Sequence, residues 1–465
     1  MNEWSPCPVC SRHEDKARRP GAVAETTEIL AVAAGADPEE IASPGRRSVL
    51  RRRTGQRTLA VALVLVGLGV GAVVADALSA PGSDSAAAKL AEWGRDHGLG
   101  AAVTWLEAVG YERNTPVVGG SPPGGIPTPA GTLADPAGGR GVGSAGDGSS
   151  LPPIAPVAAG PGLPGEGQWH TVVMSGGRPA IQVASLRPDA RHTSFVAGVM
   201  RMDPALVRGQ LHPGTRDPGG SWQSPTELSD ADFADIAAVF NGGFRLNDPS
   251  HNGYFAEGRT VRPLVGGKAS LVLYRDGHAD VGAWNREVGM TGDVASVRQN
   301  LLPLVDGAQV NPTCATGGAK EWGSTVGQAA FIHRSGFGVT ADGMEIYVGG
   351  PSLSVCTLGR ILVGAGVVRG MELDINPNWV SGAYFHDSPD GPPSGFRLFP
   401  GERVAAAHYL TASSRDWFSW SLRSPASAQD TASIARQPAV GAKTGARHTT
   451  RHPGSPAGMR THRHR

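Results

Sequence analysis

Residues 367–379 read VVRGMELDINPNW. Extended as a strand, Met371, Leu373 and Ile375 face one side, and Glu372, Asp374 and Asn376 the other. Two carboxylates and an amide on one face can do acid–base chemistry. Residues two apart on a strand have Cα atoms about 6.6–7 Å apart. Side-chain rotamers from there reach both the roughly 5–5.5 Å separation of retaining glycoside hydrolysis and the roughly 6.5–9.5 Å of inverting. A solvated sheet face has the same alternation. The run SVCTLGRILVGAGV just upstream, apolar at helical spacing, must pack on this sheet and favours a site.

Three other stretches pair polar groups with glycine. In AAVFNGGF, Asn241 stands between an apolar strand and Gly242-Gly243, a pair that permits positive φ or close backbone approach. In FIHRSGFGVTADG, Arg334 alternates to the opposite face from His333 and offers a planar fork suited to phosphate or carboxylate oxygens. SHNGYFAEGRTVRPL sets His251, Asn252 and Glu257 beside Gly253 and Gly258, as a hairpin rim would. Taken singly, these also read as a turn, a surface ion pair and a rim. No close His/Asp cluster has ligand spacing, so neither metal nor cofactor is expected.

The elements that must position these residues lie in one part of the 465-residue chain. Residues 1–57 read as a disordered cytoplasmic tail; its Cys7, Cys10 and His13 lack a fourth ligand for structural zinc. An apolar run of about 17 residues from Leu59 to Ala75 reaches the lower limit for crossing a bilayer. Arg46, Arg47, Arg51, Arg52, Arg53 and Arg57 precede it, and Asp76 and Asp84 follow. By the positive-inside rule, 58–80 is a transmembrane signal anchor, N-terminus cytoplasmic and the rest extracytoplasmic at the cell membrane. Ala75-Asp76-Ala77 and Leu78-Ser79-Ala80 resemble cleavage sites, but the basic region before them is long for a secretory signal.

A short helical segment at 81–114, patterned on Leu90, Trp93, Leu99, Val103 and Leu106, is followed by a Gly/Pro-rich linker at 115–167, read as an extended tether. Short β-type runs then fill 168–423: AIQVASL, ASLVLYRDG, AAFIHRSGFGVTADG and MEIYVGG. With helices in ELSDADFADIAAVF and SVCTLGRILVGAGV, this is an α+β domain of mostly antiparallel or mixed sheets with few helices. Residues 424–465 are a disordered basic tail, suited to an anionic envelope polymer. A net charge of +1 gives no electrostatic case for nucleic acid. Two cysteines in one oxidising domain suggest a Cys314–Cys356 disulfide.

The ordered succession FNGGF, GYFAEGRTV, LYRDG, LVDG, RSGFGVTADG, TLGRILVGAGV and MELDINP resembles the phosphodiester glycosidase family over roughly 220–400. The resemblance implies extracytoplasmic hydrolysis of a sugar–phosphate diester in an α+β domain, with a carbohydrate or glycosyl-phosphate substrate. It also implies matching positions at Asn241, Gly242 and Gly243, at Arg334, and at Asp374. On this reading Asp374 is base or nucleophile, Glu372 the second carboxylate and Arg334 the phosphate ligand, with Asn241 and Asn376 orienting sugar or water. The chain departs from the family after Asp374, where Ile375-Asn376-Pro377 replaces a glycine pair. A non-catalytic binder of cell-wall polysaccharide on the same fold is the alternative expectation.

Overall fold

The structure, a computed structural model, describes residues 46–133, 151–158, 160–248, 252–325, 330–388 and 391–424. The CxxC tail, the middle of the linker, His251 and the basic tail fall outside them. Helix α1 spans Arg46–Leu78, and its Gln56–Leu78 portion is long and apolar enough to cross a membrane by length and composition. Helices α2 (Ala86–Asp96) and α3 (Gly100–Arg113) follow.

The remainder is three sheets whose strand pairs are all antiparallel. An eight-stranded sheet has Glu345–Leu353, Ile332–Thr340 and Val367–Glu372 side by side near its middle. One five-stranded sheet is centred on Val294–Gln299, the other on Ile236–Asn241 between Gly382–Ser388 and Trp417–Leu422. Alternation sorts the large sheet into two cores. Phe337, Tyr347 and Met371 join Phe240, Leu271 and Trp420 of the smaller sheets. Ile346, Val348 and Val367 face the helix Val355–Gly364, whose Leu358, Ile361 and Leu362 are all fully buried. Ser354 caps that helix by accepting from Thr357 N–H, and Gly366, at φ +92°, ends it.

The Cys314–Cys356 disulfide ties this helix to the turn Pro312–Ala315 across 42 residues of sequence. A loop of that length stabilises the fold by about 3–4 kcal/mol on the chain-entropy account. The linker behaves differently from a tether where it is described. Ile154 is buried against the helix side of the large sheet, and Glu166 pairs with Arg187 at 2.8 Å. Leu133 N–H donates to Thr171 O at 3.0 Å. Isolated apolar residues and backbone groups suffice to hold a Gly/Pro-rich strand on a preformed surface, which composition alone does not reveal.

Glu345 sits fully buried at the sheet junction, accepting from Ala279 N–H and Trp420 Nε1–H. Burial raises its carboxyl from 4.5 to about 7, against those two hydrogen bonds. The folded state therefore holds this proton more tightly than the unfolded chain. The stabilisation is complete below about pH 4.5 and is lost as pH rises through about 7, up to about 3 kcal/mol by linkage. Urea unfolding of the full chain between pH 4.5 and 8 should show wild type losing stability relative to Glu345→Gln. Parallel pH profiles for the two proteins would refute the assignment.

Candidate functional site

The strand Val367–Glu372 stops one residue into the acidic pattern. The ladder nonetheless continues, because Leu373 N–H donates to Ser335 O at 2.8 Å and Ser335 N–H to Asp374 O at 2.9 Å. Alternation thus holds where it matters. Met371 and Leu373 pack in the central hydrophobic core, while Glu372 and Asp374, also buried, meet Arg334 and Arg415. Past Asp374 the chain turns: its Oδ1 accepts from Ile375 N–H at 2.7 Å and Asn376 N–H at 2.8 Å. Both donors favour the ionised carboxylate, and the turn needs no glycine.

The two acids go to different partners. Glu372 forms an ion pair with Arg334, both nearly inaccessible, and Arg334 Nε also donates to Leu353 O at 3.0 Å. The second Glu372 oxygen has no hydrogen-bond partner. Asp374 instead lines a small, nearly closed pocket of about 10 Å³, with Asn241, Gly242, Gly243, Trp379, His408 and Arg415 among its walls. Its Oδ2 lies 3.4 Å from Arg415 Nη2. Arg415 also donates to Gly243 O at 3.0 Å, stands 5.3 Å over the Trp379 ring and lies 3.7 Å from Asp217. The cation beside Asp374 is therefore Arg415, while Arg334 is spent on Glu372.

Burial raises the Asp374 carboxyl; Arg415 and the two backbone donors oppose the rise, and the carboxylate of Glu92 adds to it. Burial alone would lower Arg415, but Asp374, Glu92, Asp217 and Asp416 outweigh it and hold the guanidinium charged. Glu372 is also raised, by burial first, with Arg334 opposing. A carboxyl raised by burial beside a fixed cation is an environment found at functional sites.

Asn241 closes the strand Ile236–Asn241. Its Oδ1 accepts from Tyr347 Oη–H at 2.8 Å and Ser381 N–H at 3.0 Å, and its Nδ2 donates to Gly242 O and Ser335 Oγ. The Phe240 ring beneath stacks on Tyr347 at 4.5 Å and Trp420 at 4.6 Å. Asn241 is thus a joint between sheets at the cleft edge. Asn376 uses Oδ1 to accept from Asn378 N–H and its amide to reach Glu107 at 3.4 Å. The glycine pair serves close approach: a Cβ on Gly242 would lie 2.5 Å from the Asp416 carboxylate, and one on Gly243 3.1 Å from Asn300. Asp416 in turn pairs with Arg298 at 2.6 Å, both wholly buried.

Sequence reading missed Arg415, Asp416, Arg298 and Arg245. The signal was present in SSRDWF, an Arg-Asp pair opening an aromatic strand, and in the arginine of FNGGFR. A broader surface cleft near Arg286 and Asp306 is larger, but that exposed pair satisfies itself and no acid is buried there.

No family model matches the chain, and no curated protein matches it. Among solved structures, the catalytic domain of zebrafish N-acetylglucosamine-1-phosphodiester alpha-N-acetylglucosaminidase is similar over 54% of this chain and 85% of its own, at 13% identity and a TM-score of 0.35. A hypothetical protein from Synechocystis is similar over 53% and 63%, at 11% identity and a TM-score of 0.30. Neither likeness establishes a family. At such scores they carry no argument about activity, which rests on the cleft itself.

The glycine pair can be tested directly. Gly242→Ala drives a methyl into Asp416 and should cost about 1–3 kcal/mol as an overpacked site. Gly266→Ala, whose Cβ would meet only Asn285 at 3.8 Å, should be near neutral. Urea midpoints that shift equally for both would contradict the close-approach role.

Proposed function

We propose that the chain is a membrane-anchored hydrolase that cleaves the bond between a sugar's anomeric carbon and a phosphodiester in envelope or exopolysaccharide material. The observation that carries this reading is the Asp374 carboxylate facing the Arg415 guanidinium in one cleft. The leaving group is a phosphate monoester with a second pKa near about 6, far better than a sugar hydroxyl. Strong general-acid help is then unnecessary. What is needed is a cation for the departing phosphate and a carboxylate for water or the anomeric carbon.

In the proposed reaction Asp374 takes the proton of the attacking water, the water oxygen bonds to the anomeric carbon, and the anomeric C–O bond breaks. The electron pair leaves on the phosphate oxygen beside Arg415. Direct attack by Asp374 is the retaining variant, and the anomer of the released sugar separates the two. Glu372 and Arg334 act as a buried pair that fixes the strand leading to Asp374, with Asn241 and Asn376 holding the cleft edge. The arginines in the first turns of α1 set the N-terminus inside and the domain outside, where the Cys314–Cys356 bridge persists.

The full chain in detergent should release free sugar and phosphomonoester from a member of a panel of α- and β-linked sugar phosphodiesters, N-acetylglucosamine-1-phosphate esters included. Asp374→Asn should lower turnover per folded molecule by about 10²–10⁴-fold, beyond the loss of stability that follows from leaving the buried Arg415 without its carboxylate. Unimpaired release in that variant would remove Asp374 from catalysis. Saturable polymer binding with no release by the folded protein would replace hydrolysis by the binding reading.

A further inference from the structure

Helix α2 buries an acid among small residues: its buried positions are Ala88, Glu92 and Gly94. Leu90 is 37% exposed, whereas Glu92 is 3% exposed. In α3 no residue is buried; Leu99, which precedes it, is 52% exposed, and Trp105 and Leu106 within it are 64 and 61% exposed. What holds this segment to the domain is polar. Asp96 pairs with Arg245 and, at 3.2 Å, with Arg216; Glu107 meets Asn376; Tyr111 Oη–H donates to Phe331 O at 2.9 Å. On the approach to α2, Asp84 accepts from Ser414 Oγ–H at 2.7 Å, one residue from Arg415.

The Glu92 carboxylate is set between Arg245 Nη1 at 3.2 Å and Arg415 Nη1 at 3.8 Å, with its own Arg95 at 3.5 Å. Yet neither Glu92 oxygen has a hydrogen-bond partner, and neither do Arg245 Nε and Nη1 or Arg415 Nε. Buried donors and a buried acceptor thus lie side by side, at ion-pair distance but misaligned. Two planar carboxylate oxygens leave a cationic pocket unsatisfied that a tetrahedral anion, with oxygens in several directions, can fill.

We propose that Arg245 and Arg415 form the subsite for the phosphodiester anion beside Asp374, and that Glu92 occupies it until that anion displaces α2. This rests on reading the Asp374 cleft as the site and assigns the substrate's charged group to specific residues. A cover held by charge rather than apolar burial is displaceable by a competing anion and weakened by salt. Occupation by Glu92 lowers the apparent affinity in proportion to the fraction of chains in which the subsite is free.

The test uses the full chain in detergent with dimethyl phosphate, inorganic phosphate and acetate as probes. Binding is followed by calorimetry, and the 86–113 segment by hydrogen exchange. Dimethyl phosphate should raise exchange in 86–113, Glu92→Gln should bind it at least about tenfold more tightly than wild type, and Arg245→Gln should abolish binding in either background. Equal affinities of wild type and Glu92→Gln overturn the proposal, as does binding that survives Arg245→Gln. Binding of inorganic phosphate or acetate alone also overturns it, by assigning the pocket to free anions. None of these readouts requires turnover. Displacement without hydrolysis retains the subsite and removes the enzyme, and hydrolysis without displacement does the reverse.

Discussion

Four charges have to be buried together where the sheets meet: Arg298 with Asp416, and Arg415 with Asp374. Breaking one member out of such a pair costs about 3–5 kcal/mol, because the charge left behind stays desolvated. The surrounding sequence is fitted to that demand. Gly242 and Gly243 carry no side chain so that Asp416, Asn300 and Arg298 can close on the backbone. Asn300 donates to the carbonyls of Glu372 and Leu373 and accepts from Phe244 N–H. One amide thereby clamps the strand before Asp374 to the loop after Asn241. The cleft's geometry follows from where this ion-pair chain is stabilised.

The same constraint explains the buried acid of helix α2. A guanidinium cluster attracts acids more strongly than it attracts leucine, so Glu92 and Asp96 pair with the domain's arginines while Leu90, Trp105 and Leu106 are left outward. Such a segment adds little hydrophobic stability to the domain it covers.

Much of the architecture is written locally. Alternation in MELDIN separates Met371 and Leu373 from Glu372 and Asp374, as the structure has it, and the period of Leu358, Ile361 and Leu362 marks the buried helix face. Two cysteines in the β-rich domain were enough to name the disulfide. What local pattern does not carry is the partner chosen across sequence. Arg334 and Arg415 are both arginines near glycines or serines. The sheet register pairs Gly336 with Glu372, two residues from Arg334, and only the side-chain contacts formed in the fold give Arg334 to Glu372 and Arg415 to Asp374. Nor does composition say that stretches of a Gly/Pro-rich linker lie on the domain, since single contacts such as Ile154 have no period.

The proposed hydrolysis requires Asp374 and Arg415 to act together on one glycosyl phosphate. The most direct measurement is an experimental structure of the full chain bound to a non-cleavable glycosyl phosphonate. The account predicts the phosphonate oxygens on Arg415 and the anomeric carbon within reach of the Asp374 carboxylate. A phosphonate seated elsewhere, with Asp374 and Arg415 still paired only to each other, would contradict it.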